Sequence, residues 1–582
     1  MDFSKVTSLQ IPEGNVTKIE DKEGNILWAN INKLAYGVRW NSVNQATTAC
    51  ERIGNLELHK TLPIQSRFKV CIHKGKEIQY YCNPDDSRFV EESKRSQFTY
   101  QGTDLNITAC DGLPAGVVSC EENSVVKCKF INTTLFSNYR FLYSYVYVRD
   151  NINKNNIAIG RIVYIDTSTG EAYIDDSTTI GGGDYGYTDN DYRYFVYEIT
   201  DTQETDFTNN CTVELGCSIN GYDGEIGVDT GGKFYQWSVD NDGDNNEVWQ
   251  SLYKCVPYAR EIKRHIIGID RACVLNTAFN DTKWGWIGSL AANTAVNVIN
   301  YHTNLRGGAN SSIWDNYLGN DSFRCQLGKA RTNLTIAEMR SYSQKTDGGQ
   351  MLYKQIWEAI VWSYVIEYAD FDVKKAYNDN LTTEGYHQGG LGNGVVGGNN
   401  LINYNGNQKL VPNDYTLELG NNTIIKRRAA IQNQIAYNVP HWRGFNVFWY
   451  GDIYINVDNM LSKYDTTKQK RIWYYTDDVS KFDDNITNKE HQIEGFEAAT
   501  ESWLREVRIN NKGDIVPSKI GNYSTYKNSY YWNNVNSNVN IAISGGAANN
   551  NEKCNILSLS TYYNINYGEY RFGFVKVTIL DD

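Results

Sequence analysis

Several features that define other protein classes are missing from the 582 residues of this chain. No run of about 18 apolar residues occurs, so we expect no transmembrane helix and no membrane insertion. The opening "MDFSKVTSLQ" has neither a basic nor an apolar segment, so no secretory signal is expected. Glycine and proline number only 48 and 8, too few for a fibrous or low-complexity protein. The 41% hydrophobic content predicts instead a globular protein of about three or four domain equivalents.

Basic charge and a nucleotide-binding context are also lacking. The net charge of -12 argues against nucleic acid as a partner, because phosphate binding needs a basic face. Residues 392–397, "GNGVVG", match the G-x-G-x-x-G pattern of dinucleotide-binding turns. That turn needs a strand before it and a helix after it, whereas a predicted helix precedes this one and the turn-forming "GNNLINYNGNQ" follows. The sequence therefore predicts a glycine-rich structural loop and no cofactor.

The motifs of common catalytic and metal sites are absent as well. The chain contains neither H-E-x-x-H nor G-x-S-x-G. The acidic stretch 240–247 lacks the glycine and glutamate of a calcium loop, which favours a turn between strands. The seven histidines do not follow metal-ligand spacing; they are His59, His73, His265, His302, His387, His441 and His491. We expect no catalytic residue, no metal and no enzyme activity.

The twelve cysteines contain no C-x-x-C pair. Without a secretory signal, reduced and mostly buried thiols are expected. Cys211 and Cys217 are near enough in sequence to pair in an oxidising medium, but the sequence leaves open whether any cysteines pair.

Tyrosine, tryptophan and asparagine are abundant instead, with 43 Tyr and 14 Trp in short strand-and-turn segments. We predict an α+β fold, mostly antiparallel β with few helices. Residues 16–20 and 26–28 form a predicted β-hairpin, and "RIVYIDTSTGEAYID" forms another. Thr335 and Glu338 make a capping box that starts a short helix. Apolar residues at helical spacing predict a long helix over 351–377, with Thr346 or Asp347 as its cap.

The N-terminal hairpin resembles the short module that opens many tailed-phage tail and fibre proteins, through an "IP-G-V-KI-D--G--LW" pattern. A hairpin of this size is not stable alone, so it should pack on the body or on a partner. The resemblance implies attachment to the virion through seven residues: Ile11, Pro12, Val16, Ile19, Ile26, Leu27 and Trp28.

The rest of the chain resembles fibre and appendage proteins of phages of gut Bacteroidota, including crAss-like phages. Residues 36–71 contain "GVRW", "RIGN" and "LPIQS", and later come "EYA", "GYHQGGLGNGV" and "HWRGFNVFWYGDIYINVDNM". That body is similar to the formylglycine-generating-enzyme variant of the C-type lectin fold. The resemblance is loose over 34–128 and good over about 229–582. It implies a hairpin at 1–33, a body at 34–128 and 229–582, and an inserted β-rich subdomain at 129–228.

Departures from the family's pattern remove its enzymatic chemistry. The enzymes bind copper through two neighbouring cysteines near the C-terminus, but Cys554 is the only cysteine after Cys325. Tyr454 stands at the family's tryptophan, and Asp458-Asn459 replaces its "DG".

In lectin-like folds of this kind, the loops near the C-terminus form the ligand face. The resemblance places a ligand-binding set of exposed aromatics and amides there: Tyr526, Tyr530, Tyr531, Trp532, Asn533, Asn534, Tyr562, Tyr563 and Tyr567. Tyrosine and asparagine can grip a sugar or a protein surface by stacking and hydrogen bonding, but these residues could equally pack against a neighbouring subunit.

The resemblance implies a structural virion protein, a subunit of a head or tail fibre that displays a lectin-like domain for adhesion to host-surface glycan or protein. The alternative is a purely architectural capsid decoration or tail component with no ligand of its own. The expected partners are other virion proteins and further copies of the chain, as a dimer or a trimer. The expected location is the exterior of a virion assembled in the host cytoplasm.

Overall fold

The computed structural model describes the chain in segments, and the structural statements below concern these segments. They are residues 18–20, 26–41, 50–83, 90–91, 96–101, 105–107, 117–119, 126–137, 140–141, 144–154, 157–166, 171–174, 196–199, 210–217, 223–240, 245–268, 272, 334–371, 381–387, 414–418, 424–428, 454–497, 501–524, 526–527, 529–544, 553, 555–568 and 572–580.

The strands of the first half of the chain are short. They are β1 (Lys18–Glu20), β2 (Ile26–Ala29), β3 (Ala35–Trp40), β4 (Glu51–Gly54), β5 (Lys69–Lys74), β6 (Glu77–Tyr81), β7 (Ser96–Gln101), β8 (Leu105–Ile107), β9 (Val117–Ser119), β10 (Val126–Ile131), β11 (Tyr145–Asp150), β12 (Ile157–Asp166), β13 (Glu171–Ile174), β14 (Val196–Ile199), β15 (Asn210–Leu215), β16 (Glu225–Asp229), β17 (Phe234–Val239), β18 (Asn246–Ser251), β19 (Arg260–Ile262) and β20 (His265–Gly268).

The second half continues with β21 (Gly349–Met351), β22 (Asp414–Glu418), β23 (Ile424–Arg428), β24 (Tyr454–Asp465), β25 (Lys470–Tyr475), β26 (His491–Glu497), β27 (Glu501–Ile509), β28 (Ile515–Gly521), β29 (Tyr530–Asn533), β30 (Val539–Ser544), β31 (Leu559–Thr561), β32 (Phe572–Phe574) and β33 (Lys576–Ile579). The α-helices of the described segments are α1 (Ile31–Leu34), α2 (Leu56–Thr61), α3 (Ile336–Ser343) and α4 (Lys354–Tyr368). Single 3₁₀ turns lie at Gln65–Arg67, Val479–Lys481 and Ile486–Asn488.

Antiparallel pairing dominates, which confirms the predicted mostly antiparallel β structure with few helices. A six-stranded sheet runs β21-β33-β20-β16-β5-β6, and a five-stranded sheet runs β19-β17-β18-β3-β4. Both sheets combine early strands with later ones. A C-terminal sheet runs β26-β25-β24-β30-β31-β29-β27-β28, with β32 also on β24. Only β24–β32 and β29–β31 pair in parallel among the described strands.

A further nine-stranded sheet consists of β7 to β15 and is called here the inserted sheet (residues 96–215). It contains the predicted hairpin, as β12 and β13 pair antiparallel. Its first strands precede the predicted boundary at 129, and β16, placed by sequence in the subdomain, belongs to the six-stranded sheet instead. The β-rich insertion therefore spans a longer stretch at its N-terminal end and a shorter one at its C-terminal end than predicted.

Two other sequence predictions concern strands that pair across short connections, whose residues 21–25 and 241–244 lie outside the described residues. β1 and β2 pair antiparallel with Ile19 opposite Trp28, which is the N-terminal hairpin. The acidic stretch 240–247 begins where β17 ends and runs into the start of β18, and the two strands pair antiparallel. It is therefore a connection between strands.

Helix α4 is the centre of the body. Fourteen of its fifteen residues are buried, all but Tyr368. A helix that is buried on every side belongs in a core. It is shorter than the predicted 351–377, and its N-cap is Tyr353, whose side chain makes no capping bond. The prediction of Thr346 or Asp347 as cap is wrong, because β21 intervenes between these residues and the helix.

The capping box of α3 is confirmed in full. The Thr335 hydroxyl accepts a hydrogen bond from the backbone N–H of Glu338 at 3.3 Å, and the Glu338 carboxylate accepts one from the backbone N–H of Thr335 at 2.8 Å. These bonds satisfy two of the donors that a helix N-terminus leaves free.

The residues of "YGVRW" and "LPIQS" pack directly on α4. The rings of Trp40 and Trp362 lie 5.1 Å apart. Gln65 accepts a hydrogen bond from the Tyr36 hydroxyl at 2.7 Å and donates one to the Ser363 carbonyl at 3.0 Å. Gly37 is required for its small size, since a Cβ there would lie 2.1 Å from the carbonyl oxygen of Val248 on β18. These early segments are therefore part of the same core as the later helix.

The "EYA" end of α4 also contacts the "GYH" segment. His387 Nδ1 lies 3.0 Å from a Glu367 carboxylate oxygen, and the Arg52 guanidinium lies 4.5 Å from the centre of the Tyr386 ring. The glycine-rich residues 392–397, and with them their predicted scaffold role, lie outside the described residues.

Candidate functional site

The C-terminal sheet places the candidate ligand-binding residues on strand β29 and on the loops beside it. β29 lies between β27 and β31 in this sheet. Side chains of successive strand residues point to opposite faces. Tyr531 and Asn533 therefore share one face, and Tyr530 and Trp532 share the other.

Four of the nine candidates are buried, which corrects their expected exposure: Tyr526, Tyr530, Tyr531 and Asn533. Tyr526 lies in the main core and accepts a hydrogen bond from the Trp40 indole N–H at 3.3 Å. The hydroxyl of Tyr531 lies 2.5 Å from that of Thr561. Both faces of β29 are covered, because Tyr530 packs against Trp503 on one face and Tyr531 packs against Trp473 on the other.

The other five candidates are partly or fully exposed, and four of them join one aromatic surface. The ring centres of Tyr562 and Tyr563 lie 5.1 Å apart, and those of Tyr563 and Tyr567 lie 4.7 Å apart. Tyr563 and Tyr567 also contact the buried Phe572. Through Tyr454, Phe572 connects to Trp532. We call Trp532, Tyr562, Tyr563 and Tyr567 the tyrosine surface.

Among the nine candidates, exposure is greatest in the loop after β31. Tyr562 is 49% exposed and Tyr567 is 40% exposed, whereas Trp532 and Tyr563 are half-buried. Tyr523 and Val535 are exposed as well, so that four of the nine large hydrophobic side chains exposed in the described segments lie within residues 523–567. Such a concentration of exposed apolar groups is typical of a contact surface.

Asparagine side chains hold the loops that present these rings. Asn534 donates to the carbonyl of Tyr562 at 3.4 Å, which joins the loop after β29 to the loop after β31. The Oδ1 atoms of Asn534, Asn536 and Asn564 each accept a bond from a backbone N–H two residues later. These are Asx turns. Asn534, the fifth exposed candidate, therefore acts first as a support of the loop.

Charged groups touch the aromatic residues at the margin of this surface. The Lys553 ammonium lies 4.1 Å from the centre of the Tyr530 ring, and the Tyr530 hydroxyl donates to Glu501 at 3.1 Å. Burial, reinforced by Glu501, raises the pKa of Tyr530 to about 12. The Arg505 guanidinium lies 3.7 Å from the centre of the Tyr523 ring. The arrangement offers flat ring faces and phenol hydroxyls, which suit stacking against an apolar sugar face or a protein side chain.

Sequence reasoning missed Tyr523 as a candidate, together with the two rings that support the tyrosine surface from inside, Tyr454 and Phe572. Tyr523 could have been found, since it stands in the tyrosine-rich stretch 522–540 that contains six of the nine candidates. Phe572 carried no signal, because its place depends on the parallel pairing of β32 with β24.

A second candidate site is a cluster of ionisable groups at the start of α4, formed by residues of the helix and of neighbouring segments. Lys354 binds Glu358, and Arg260 binds Asp514 through a bidentate pair of 2.5 and 2.9 Å. Burial raises the pKa of Glu358 to about 8. Burial opposes the ionised form of Asp514 too, but Arg260 and Lys354 hold its pKa below the ordinary range.

This cluster borders a cavity of about 40 Å³ whose lining is mostly apolar, with Trp357, Val361 and Leu504 among the lining residues. Glu358 is among the lining residues. Lys354, Glu358 and Asp514 are buried and Arg260 is partly buried, and each of these charges has an ion-pair partner, as charges removed from water require.

The described residues show no group of three or more His, Cys, Asp or Glu side chains placed to hold a metal ion. No described helix has the length and apolar character needed to cross a bilayer. Cys554 lies outside the described residues.

The predicted attachment residues fall into two groups. Ile19, Ile26, Leu27 and Trp28 lie on the strands of the N-terminal hairpin. Ile11, Pro12 and Val16 lie outside the described residues.

Comparison with known proteins gives no relative from which to transfer a function. No protein-family model matches the chain, and no curated protein matches it significantly.

Proposed function

We propose that this chain is a structural protein of a bacteriophage particle, a subunit of a head or tail fibre that uses its C-terminal tyrosine surface for adhesion. In this proposal the body has a C-type-lectin-like fold of the formylglycine-generating-enzyme type, and the N-terminal hairpin attaches it to the virion. The chain acts as a homo-oligomer, and it is not an enzyme.

The observation that carries the adhesion role is the tyrosine surface itself. Tyr562 and Tyr567 are exposed rings on loops fixed by Asx turns and by the Asn534 bond to the neighbouring loop. Rings held in place before binding lose little conformational entropy when a ligand stacks on them. Several copies on one particle would add avidity of about 10²- to 10⁴-fold to a weak single site.

The virion role is supported by the way in which the resembling segments meet. "YGVRW" and "LPIQS" contact α4, and "EYA" contacts "GYH", although these segments are far apart in sequence. Because the resembling segments pack into one core, they can be compared with a whole fibre body rather than as separate short motifs.

The adhesion role predicts that Tyr562→Ala combined with Tyr567→Ala weakens binding to host-surface glycan by about tenfold or more, because each stacked ring contributes ~0.5–1.5 kcal/mol beyond its buried area. The measurement is binding of the purified chain to capsular polysaccharide of Bacteroidota and to whole cells. Tyr258→Ala is the matched control, since Tyr258 is 41% exposed but lies outside the C-terminal loops.

Equal binding by the double variant and the control would refute adhesion through this surface. If the double variant keeps cell binding but loses self-association, the rings face a neighbouring subunit and the architectural alternative is favoured. Cryo-electron microscopy of the intact particle then tests the virion role, and a particle without density for the chain would refute it.

A further inference from the structure

The two thiols of Cys82 and Cys217 are in contact inside the protein. Their sulfur atoms lie 3.4 Å apart, although 135 positions separate the residues in sequence. Cys82 is 5% exposed and Cys217 is fully buried. Both belong to the main core cluster.

The contact is important because of where the two cysteines lie in the fold. Cys82 follows β6, the last strand of the body before the inserted sheet, and Cys217 follows β15, the last strand of the inserted sheet. The two residues therefore flank the point at which the chain leaves the body and the point at which it returns. We call this place the neck.

Backbone bonds and one ion pair fix the neck. The backbone N–H of Cys82 donates to the Val70 carbonyl at 2.9 Å. Asp223, six residues after Cys217 in sequence, accepts hydrogen bonds from Arg140 of the insertion and from the Tyr80 hydroxyl of β6, each at 2.9 Å. The sulfur contact thus lies in a region held from both the body and the insertion.

Two other buried cysteines, Cys211 and Cys71, lie near this pair in sequence. Cys211 lies on β15, where four strand residues separate it from Leu215 by about 13 Å. The sulfur contact of Cys217 is with Cys82. Cys71 belongs to a separate cluster with Ile266 and Leu580.

We propose that Cys82 and Cys217 are a redox-controlled staple, which forms a disulfide across the neck when the chain meets a small-molecule disulfide. Thiols in a reducing compartment stay apart, and an oxidising medium closes the bond. The inference goes beyond the proposed function and does not depend on it.

The reaction is two steps of thiol–disulfide exchange. One cysteine, as thiolate, attacks a disulfide R–S–S–R and expels R–S⁻, leaving a mixed disulfide. The second cysteine, as thiolate, attacks its sulfur and expels the other R–S⁻. One protein S–S bond forms, one reagent S–S bond is broken, and the two thiol protons end on the two molecules of R–SH. The sulfurs must approach from 3.4 Å to about 2.05 Å.

Burial determines when the bond can form. The reagent cannot reach sulfurs inside the core, so the exchange requires an opening of the neck, either during folding or by local fluctuation. The closed bond would then hold the two ends of the insertion together through any later opening.

The test is oxidation of the full chain. The purified reduced protein is incubated with oxidised glutathione, in water and in mild denaturant that opens the neck, and remaining thiols are alkylated after full unfolding. Peptide mapping by mass spectrometry is expected to show a Cys82–Cys217 linked peptide and the loss of these two alkylation sites. After one proteolytic cut within residues 96–215, the two fragments should migrate as one band on a denaturing gel without reductant and as two bands with reductant.

Cysteine variants show which two residues form the disulfide. Cys82→Ser and Cys217→Ser should abolish the linked peptide, and Cys211→Ser, also buried and only six residues from Cys217, should keep it. The proposal is overturned if both Cys82 and Cys217 remain alkylatable or carry only glutathione under conditions that oxidise other cysteines, or if either pairs elsewhere. Because the wild-type map alone decides this, a variant that fails to fold does not affect the test.

Discussion

Buried ionisable residues in the body are held by specific partners. Arg340 binds Asp458 through two bonds of 2.7 and 2.8 Å, and His265 contacts the Lys263 carbonyl at 2.6 Å and the Tyr353 hydroxyl at 2.8 Å. Since the Lys263 carbonyl can only accept, Nδ1 of His265 carries the proton and Nε2 accepts from Tyr353. Burial of His265 favours this neutral form of the imidazole.

Burial of this imidazole predicts an acid sensitivity, to which His59 and His73 also contribute because burial lowers the pKa of each of them. Burial lowers the pKa of His265 from 6.5 to about 4. Between these pH values the unfolded chain takes up a proton that the folded chain does not, so the free energy of unfolding falls as the pH falls through this window. His265→Gln should reduce the loss of stability between pH 7 and pH 4, measured by denaturant unfolding at each pH.

Tyr353→Phe is the control for this prediction. It removes the hydrogen-bond partner but keeps the buried imidazole, so it should lower stability at all pH values and retain the acid-dependent loss. An unchanged pH dependence in His265→Gln would contradict the assignment.

Asn459 lies in a turn of unusual backbone conformation. Its φ is +55°, a left-handed conformation that glycine and asparagine adopt most readily. Its side chain also donates to Gln355 at 3.0 Å and to the Thr476 carbonyl at 2.7 Å. Asparagine therefore suits this turn both by its backbone preference and by its side-chain bonds.

At the level of secondary-structure elements, α4 is the helix on which the other elements of the body pack. Strand β3 packs on it through Trp40. Gly513, which lies just before β28, accepts a hydrogen bond at its carbonyl from the Trp362 indole N–H at 2.9 Å. The helix therefore joins the five-stranded sheet to the C-terminal sheet.

Truncation of the central ring should accordingly be costly. Trp362→Ala removes a fully buried ring and leaves the Gly513 carbonyl without this donor, so we expect the free energy of unfolding to fall by about 3–5 kcal/mol. Trp362→Phe should cost less, since it keeps most of the volume. The measurement is chemical denaturation at neutral pH, and a loss below about 1 kcal/mol in Trp362→Ala would be inconsistent with a central role for this contact.

At the level of the whole molecule, the insertion and the body share one hydrophobic core. Val146 and Leu215 of the inserted sheet belong to the same cluster as Cys82 and as Ile360 of α4. The inserted sheet is therefore packed into the body rather than only tethered to it.

Removal of the inserted sheet should expose that core. A variant in which residues 96–215 are replaced by a short glycine-serine linker is expected to melt at a lower temperature and to bind more of a hydrophobic dye than the full chain. A variant without residues 1–29 is the comparison, because β1 and β2 pair only with each other among the described strands. Equal stability of both variants would indicate an insertion that folds independently.

The local features of this protein were determined by its sequence. The N-terminal hairpin, the β12–β13 hairpin, the Thr335–Glu338 capping box and the abundance of antiparallel strands depend on neighbouring residues, whose propensities and turn chemistry act over a few positions. The position of α4 was also predictable, because its apolar residues recur at helical spacing. Its ends were not, since they depend on β21 and on the turn at Ala369.

Only the tertiary structure decided which tyrosines are exposed and which cysteines meet. Tyr531 and Tyr562 are both tyrosines in polar, asparagine-rich stretches, yet the first lies on the inner face of β29 and the second on a surface loop. Cys82 and Cys217 are brought together because strands distant in sequence pair at the neck. Burial and contact are properties of the packed fold, and a single sequence read locally carries no record of which distant strand will lie against which.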